Sequence, residues 1–332
     1  MDSDNNICFT TLDPSRAFPL LAQPTTNGVS LGDWCHERRE RVQERIVEHG
    51  AILFRGFDVN GQTGFESVVD YLFDKKLDYV YRTTVRTQVG KGVYTATDYP
   101  PHKSIPFHNE NSYQRDWPMN LAFFCVKAAD EGGETPIADT VGVTTRIDRG
   151  IIDKFREKKI MYVRNYRPGL DIPWQIVFQS EDKKEVEAYC QQHEITCEWK
   201  GKDCLRTRQV CHALAIHPST GQEIWFNQAH MFHVSGLDAK TRQILLDLYG
   251  EEGLPRNAYY GDGEPIEEEA LVNIREAFKA EGVVFQWKPQ DLLLLDNMLI
   301  SHSRNPYKGE RKILVSMANP YSTTAKVRSA TA

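Results

Sequence analysis

The sequence has no long apolar run. Its hydrophobic segments are short, and none approaches the roughly 18 consecutive apolar residues that a membrane span requires. The first six residues, MDSDNN, lack both the basic start and the apolar core of a secretory signal. From these absences we expect a cytoplasmic protein that does not associate with a membrane.

Clusters of lysine and arginine are also missing from the sequence. The formal net charge is −6 at pH 7, and the basic residues are spread along the chain. Broad nucleic-acid binding requires a dense basic surface, which this distribution does not provide. The composition therefore predicts no nucleic-acid partner and favours a small-molecule substrate.

The seven cysteines do not form the two close pairs that structural zinc sites favour. Four of them recur at an interval of seven residues, namely Cys190, Cys197, Cys204 and Cys211. Gly201 interrupts any helix that would align them, and an odd total in a chain without a secretory signal is typical of reduced thiols. We interpret the regular spacing as a coincidence.

No linker, low-complexity tract or internal repeat divides the chain. Its 332 residues, 40% of them hydrophobic, suffice for a sizeable core, so residues 1–332 are predicted to form a single domain. Many short β-like runs indicate a mainly β fold with flanking helices, built on a double-stranded β-helix, that is, a jelly-roll or cupin-like core. Amphipathic patterns predict helices at 32–49, 63–75, 148–158, 182–192, 239–249 and 267–281.

Among the ten histidines, only His108 has a carboxylate two residues further on. Alternate residues of an extended strand project to the same side, so His108 and Glu110 can bind one metal ion together. A third ligand is predicted at His302, because the apolar run Leu292–Leu295 would bring a distant strand alongside. Two imidazoles and one carboxylate leave three open coordination positions, as in iron(II) oxygenases.

A second pair of histidines, His230 and His233, competes for the role of metal ligand. They lie three residues apart and can share one face of a helix. No nearby carboxylate completes this pair. We therefore expect both residues to pack near the mouth of the barrel.

Oxygenases of this kind that use 2-oxoglutarate need a fixed cation for its far carboxylate. Arg311 precedes a strand-like run shortly after His302, and arginine can bind a carboxylate through two N–H groups. Thr135 lies in the segment GGETP, where two glycines allow close approach of the backbone, and its hydroxyl can donate to the same carboxylate. Arg304 is the alternative cation.

Four segments carry a family resemblance that spans most of the chain: PFHNENSY, GGETPIADT, IWFNQAHMFH and DNMLISHSRNPYKGERKILVSMANP. They resemble the taurine dioxygenase/TfdA family of iron(II)- and 2-oxoglutarate-dependent oxygenases. Glutamate in place of aspartate as the carboxylate ligand is similar to the clavaminate synthase branch. The resemblance implies iron at His108, Glu110 and His302, with 2-oxoglutarate held by Thr135 and Arg311.

The resemblance also implies the cofactors and the reaction: iron(II), 2-oxoglutarate and O2, used to hydroxylate an unactivated C–H bond. The implied substrate is an amino acid or an amino-acid-derived intermediate of natural-product biosynthesis, either free or tethered to a carrier protein. Desaturation, epoxidation and cyclisation by the same iron chemistry remain alternatives. A zinc hydrolase or a non-redox metal-binding barrel protein is the alternative from another class.

The resemblance also implies that a helical insert around 145–195 acts as a lid, which would shield a reactive site. The residues that we regard as candidates for substrate contact are Asn109, Asn111, Tyr113, Arg164 and His230.

Overall fold

The computed structural model of the chain describes residues 2–4, 6–77, 81 and 86–323. Within these ranges, no helix is both long enough and apolar enough to cross a membrane. The helices are α1 (Leu31–Glu37), α2 (Arg39–His49), α3 (Gly61–Leu72), α4 (Thr140–Arg146), α5 (Arg149–Lys158), α6 (Trp174–Phe178), α7 (Lys183–Gln192), α8 (Ala229–Phe232), α9 (Ala239–Tyr249) and α10 (Glu268–Glu281).

The strands are more numerous than the helices and most of them are short, so the fold is rich in β-sheet. They are β1 (Asp2–Asp4), β2 (Ile7–Thr11), β3 (Leu20–Pro24), β4 (Ala51–Phe54), β5 (Gln88–Gly90), β6 (Val93–Thr95), β7 (Ile105–His108), β8 (Asp116–Lys127), β9 (Glu131–Gly132), β10 (Ile137–Asp139), β11 (Ile160–Tyr166), β12 (Thr196–Trp199), β13 (Leu205–Cys211), β14 (Leu214–Ile216), β15 (Glu223–Trp225), β16 (Arg256–Tyr260), β17 (Gly282–Val283), β18 (Leu292–Asp296), β19 (Ile300–Arg304), β20 (Tyr307–Lys308) and β21 (Lys312–Ser322).

Two sheets carry the site region. The larger sheet has nine strands in the order β1-β2-β3-β4-β18-β8-β21-β6-β5, and the smaller has four in the order β17-β10-β19-β7. Their side chains share one buried apolar cluster, to which Leu293 and Leu295 contribute from the larger sheet and Ile137 and Ile300 from the smaller. The two sheets therefore pack face to face.

The leucine run of β18 shows why this strand lies at the centre of the larger sheet. Every residue of β18 is buried, and its neighbours β4 and β8 pair with it on both edges. Because successive side chains of a strand alternate in direction, Leu292 and Leu294 point to the opposite face from Leu293. There they join a second apolar cluster that includes Val42 of α2 and Val68 of α3.

Gly50 joins this helical layer to the sheet. It ends α2 with a φ of 70°, a conformation that favours glycine. A β-carbon at this position would lie 2.7 Å from the side chain of Ile300. The close approach brings the start of β4 against β19, the strand that carries His302.

A third sheet, with the strand order β12-β13-β11-β16, packs beside the first two. Its apolar side chains share a cluster with helices α5, α7 and α10 through residues such as Phe155, Val186 and Phe278. The segment 145–195 contributes α5, α6 and α7 to this region together with β11, whose partners β13 and β16 lie outside the segment.

The prediction of a mainly β fold with flanking helices is confirmed. One helix differs from prediction: residues 32–49 form the two helices α1 and α2, which Arg38 separates. Buried residues recur at helical spacing on both sides of the break, so the apolar pattern alone could not reveal it. The evenly spaced cysteines lie on α7, β12 and β13 and in the turn before β13, and all seven cysteines of the chain are free thiols.

Candidate functional site

Two neighbouring strands bring the predicted metal-binding histidines together. Strands β7 and β19 pair antiparallel, and His108 lies directly opposite His302 in their register. The two imidazole ring centroids are 4.3 Å apart. The register of one strand pair thus brings together two residues that are almost two hundred positions apart in the sequence.

Glu110 follows β7 in a loop that Asn297 holds in place. The Asn297 side chain accepts a hydrogen bond from the Glu110 N–H at 2.7 Å and donates one to the Glu110 carbonyl at 2.9 Å. The carboxylate Oε2 of Glu110 lies 4.0 Å from Nε2 of His302. Each of the three residues His108, Glu110 and His302 offers one ligand atom, and these atoms all lie within 4.8 Å of one another.

The protonation states of both imidazoles suit metal binding. Burial lowers the pKa of His302 well below its ordinary range, and the nearby His108 and Arg86 lower it further. Burial also lowers the pKa of His108, although Glu110 opposes this shift. Nδ1 of His108 lies 2.9 Å from the Pro106 carbonyl, which can only accept a hydrogen bond, so Nδ1 carries the proton. Its Nε2 then keeps a lone pair for a metal ion.

Thr135 and Arg311 lie side by side next to this cluster. Arg311 donates from Nε to the Gly133 carbonyl at 2.8 Å and from Nη2 to the Thr135 hydroxyl at 3.3 Å. Gly133 has a φ of 72°, and a β-carbon there would lie 3.0 Å from the Arg311 side chain. Trp287 donates to the same Thr135 hydroxyl at 3.0 Å. The glycine allows the close approach that the sequence indicated.

The Arg311 guanidinium is partly buried and forms no ion pair with a carboxylate in the described part of the chain. Burial lowers its pKa to about 10, and the neighbouring Arg304 contributes to this shift. A cation in this state attracts an anion. Arg304, the alternative cation, instead donates to the main-chain carbonyls of Tyr99, Pro100 and Lys103. Arg311 is therefore better placed to receive a carboxylate.

One small cavity unites these groups. The polar residues that line it include Arg86, His108, Thr135, His302, Arg304 and Arg311. The donor set of two neutral imidazoles and a carboxylate fits iron(II), because these ligand types in this number leave coordination positions open. The Thr135 hydroxyl and Arg311 add a place for a carboxylate.

Three of the predicted substrate contacts follow His108 closely and are buried. The Asn109 side chain donates to the Asn297 carbonyl at 2.6 Å and to Thr140 at 3.3 Å. The Tyr113 hydroxyl donates to the Tyr81 carbonyl at 2.9 Å and lies 3.3 Å from the Asn111 side-chain oxygen. In the structure these side chains hold their own loop in place.

The other two predicted substrate contacts, Arg164 and His230, are also buried. The Arg164 guanidinium lies 4.8 Å from the Tyr166 ring centroid and 5.4 Å from that of Tyr81. His230 contacts the Phe107 carbonyl at 2.8 Å through Nε2. Among the described residues that line the metal-site cavity, none is one of the five candidates, and their contact with substrate stays a prediction.

Sequence reasoning missed several residues that contact the site. Arg86 donates to the Glu110 carboxylate at 2.8 Å, and Trp287 and Asn297 hold Thr135 and Glu110. No motif marks Arg86, which precedes Glu110 by 24 residues. Asn297 lies in the recognised DNMLISH segment, but only the fold shows that its side chain reaches Glu110.

Comparison with known proteins identifies relatives over most of the chain. The family model described as "Taurine catabolism dioxygenase TauD, TfdA family" matches residues 16–317. The dapdiamide synthesis protein DdaC of Enterobacter agglomerans is 43% identical over 285 residues, which cover 86% of this chain and 87% of DdaC. A clavaminate synthase-like protein of Arabidopsis thaliana is 30% identical over 322 residues, covering 91% of this chain and 94% of that protein.

Solved structures share the fold at low sequence identity. PvcB of Pseudomonas aeruginosa has a TM-score of 0.59 at 15% identity, covering 96% of this chain and 94% of PvcB. AAD-2, solved with Mn(II) and N-oxalylglycine, has a TM-score of 0.55 at 12% identity, covering 94% of this chain and 96% of AAD-2. Because the family model and both sequence relatives extend over most of its length, the chain belongs to the TauD/TfdA family of iron(II)- and 2-oxoglutarate-dependent dioxygenases.

Proposed function

We propose that this dioxygenase hydroxylates an unactivated C–H bond of an amino acid or an amino-acid-derived intermediate in natural-product biosynthesis. The relation to DdaC supports the pathway class, because that relative is named for dapdiamide synthesis and is 43% identical over 86% of this chain. The substrate is a small molecule. We further propose that a carrier protein presents it to the enzyme.

We infer that His108, Glu110 and His302 hold iron(II), and that Thr135 and Arg311 hold the far carboxylate of 2-oxoglutarate. The observation that carries this proposal is the shared cavity, which is lined by both histidines, the threonine and the arginine. A metal-binding protein without turnover would have no use for a partly buried arginine, free of a carboxylate partner among the described residues, beside its metal ligands. The same argument disfavours a zinc hydrolase.

When bound, iron(II) would supply the oxidative chemistry, with O2 as the oxidant and 2-oxoglutarate as the co-reductant. The protein contributes the placement of the reactants. Nδ1 of His108 donates to Pro106, which fixes the imidazole so that Nε2 faces the metal position. Trp287 orients the Thr135 hydroxyl, and Arg311 beside it matches the planar carboxylate of the co-substrate. Burial of these groups limits the access of water.

We propose that the two facing sheets form a double-stranded β-helix, the jelly-roll or cupin-like core, within a single domain of residues 1–332. The face-to-face packing of the nine-stranded and four-stranded sheets supports this assignment. The helices of segment 145–195 are proposed to belong to a lid, with the third sheet as their support.

Anaerobic binding of iron(II) and 2-oxoglutarate tests the site. We expect the metal-free protein to develop a weak visible charge-transfer band when both are added, because the band requires iron and chelated co-substrate together. His108→Ala should abolish the band. Arg311→Ala should raise the 2-oxoglutarate concentration needed by about 10-fold or more, the effect of losing one charged hydrogen-bond donor. Arg149→Ala, an exposed arginine on α5, is the control and should match the wild type.

Absence of the band in the wild type would favour the zinc hydrolase or the binding protein. If the band forms, succinate release in the presence of candidate substrates identifies the reaction partner. Free amino acids and the same amino acids tethered to a carrier protein are compared in parallel. Succinate release with the tethered forms alone would establish carrier presentation, and release with free amino acids would contradict it.

A further inference from the structure

A second cavity, of about 560 Å³, lies apart from the metal-site cavity. The described residues that line the two cavities differ throughout. Trp117 of β8 lines the second cavity, whereas Phe123 of the same strand lines the metal-site cavity. Six residues of an extended strand, the separation of these two, span about 20 Å. The two cavities therefore adjoin different ends of β8.

The second cavity has an apolar and aromatic surface. The ring centroid of Trp117 lies 4.9 Å from that of Phe226 and 5.1 Å from that of Tyr321. Leu214 and Ala215 of β14 add aliphatic surface. A cavity of this size, with mostly apolar walls and a few polar groups, is typical of small-molecule binding sites. Its surface suits the apolar body of an organic ligand.

The polar groups of the second cavity are mainly basic. Among its described lining residues, Glu223 is the only carboxylate, and the basic side chains are Arg115, Arg156, Lys159 and His212. Glu223 pairs with Arg156 at 2.7 Å, and Glu194 pairs with Arg115 at 2.6 Å. In the part of the chain that the structure describes, Lys159 has no carboxylate partner. Lys159 is therefore the cation that remains available for a ligand.

His212 reports the positive charge at this wall. Burial lowers the pKa of His212, and the nearby Lys159 and Arg115 lower it further. A neighbouring positive charge disfavours protonation of an imidazole, and it attracts an anion for the same reason. The electrostatics of the wall thus favour a ligand with a negatively charged group.

Lys159 also has a backbone conformation that is normally occupied by glycine. It follows the last residue of α5 with a φ of 62° and a ψ of −165°. Residues with a β-carbon adopt this region at an energetic cost, and glycine is the usual residue directly after a helix. The chain nevertheless has a long cationic side chain at this position, and that side chain lines the second cavity. A role in ligand binding accounts for this cost.

We propose that the second cavity binds a small organic carboxylate with an apolar body. The carboxylate pairs with Lys159, and the apolar body lies against the rings of Trp117, Phe226 and Tyr321. A single available cation matches a single negative charge. The inference is independent of the proposed iron site, because none of these residues belongs to it.

Two fluorescent dyes with related ring systems test the proposal. Anilinonaphthalene sulfonate has an apolar body and one negative charge, and phenylnaphthylamine lacks the charged group. Both dyes are titrated into the wild type, Lys159→Gly, Lys159→Arg and Ala215→Phe. Lys202→Gly is the matched control, because Lys202 is an exposed lysine in the turn before β13 and lines neither cavity.

For Lys159→Gly we expect the dissociation constant of the sulfonate dye to rise by about 10-fold or more, the effect of losing a charged partner. Binding of the uncharged dye should not change. Lys159→Arg keeps the charge and should retain most of the affinity for the sulfonate dye. Ala215→Phe fills part of the cavity and should weaken the binding of both dyes. Lys202→Gly should match the wild type.

Two further measurements accompany the titrations. Octanoate should displace the sulfonate dye from the wild type, and uncharged octanol at the same concentration should not. In urea, Lys159→Gly should unfold at the same midpoint as the wild type or at a higher one, because glycine relieves the backbone strain. A loss of dye binding in this variant could then not be attributed to unfolding.

Equal affinity of the sulfonate dye for the wild type and Lys159→Gly would overturn the inference. An equal loss in Lys202→Gly, or an equal loss of the uncharged dye in Lys159→Gly, would exclude a specific charge pair. Failure of octanoate to displace the dye would exclude a carboxylate ligand. Loss of sulfonate-dye binding in Arg311→Ala would assign the dye to the metal-site cavity and would also overturn the inference.

Discussion

His230 contacts the main chain of strand β7 directly before His108. Its Nε2 contacts the carbonyl of Phe107, the residue before His108, and its ring lies 4.8 Å from the ring centroid of Phe278. Burial lowers the pKa of His230 to about 4, and the nearby Arg275 adds to this effect. The carbonyl can only accept a hydrogen bond, so the neutral ring carries its proton on Nε2.

This buried histidine predicts a loss of stability in acid. Its folded-state pKa of about 4 lies below the unfolded value of about 6.5, so the folded state binds fewer protons and stability is lost as the pH falls below 6.5. His230→Gln keeps an N–H donor but does not titrate. Between pH 7 and pH 5, we expect the metal-free wild type to lose about 2 kcal/mol more unfolding free energy than the variant.

Urea unfolding of the metal-free proteins at both pH values measures this difference. The exposed His102, changed to Gln, provides the control and should follow the wild type. Equal pH dependence in His230→Gln and the wild type would show that His230 does not titrate as the structure indicates.

The turn between β18 and β19 is the element that organises the proposed metal site. Asp296 accepts hydrogen bonds from the N–H groups of Met298 and Leu299 at 2.8 and 3.0 Å, and its other oxygen lies 3.0 Å from Nε2 of His217. The next residue, Asn297, reaches across to Glu110 and also donates to the Pro118 carbonyl. One turn therefore fixes both the start of β19 and the loop of Glu110.

Removal of the Asn297 side chain should release this loop. In Asn297→Ala we expect the affinity for iron(II) to fall by about 10-fold or more, the usual size of the effect when a residue supporting a metal ligand is lost. Anaerobic metal titration measures it. Asn227→Ala is the matched control, because Asn227 is a buried asparagine that bridges Ala213 and Ala229 by similar hydrogen bonds. Unchanged metal affinity in Asn297→Ala, or an equal loss in the control, would contradict the role of the turn.

At the scale of the whole molecule, the larger sheet separates two apolar layers. One lies between the facing sheets, beside the proposed metal site, and the other lies under helices α1 to α3. Strand β18 contributes to both, with Leu293 in the first layer and Leu294 in the second. The helical layer stabilises the sheet without contacting the cavity.

Leu294→Ala should lower the unfolding free energy by about 2 to 5 kcal/mol, because the side chain is fully buried and its loss leaves a cavity. Binding of iron(II) and 2-oxoglutarate should persist in the folded variant. Urea unfolding and the charge-transfer band measure the two effects. Ile244→Ala, at a position 47% exposed, should change the unfolding free energy by less than about 0.5 kcal/mol. Similar losses in both variants would contradict the layered arrangement.

Local patterns in the sequence were sufficient to identify the family, the β-rich fold and five residues that lie close together in the structure. His108, Glu110 and His302 were found because ligand chemistry and strand periodicity act over a few residues and leave short signatures. Thr135 and Arg311 followed from the same reasoning about what a co-substrate requires. The structure places all five in one region.

The tertiary structure decided which other residues reach that region. Arg86 contacts Glu110, Trp287 contacts Thr135 across 152 positions, and Asn297 contacts Glu110 across 187. The break between α1 and α2 at Arg38 was likewise visible only in the structure, because the apolar spacing continues through it. These contacts depend on the register and packing of distant strands, and such long-range geometry leaves no periodic mark in the local sequence.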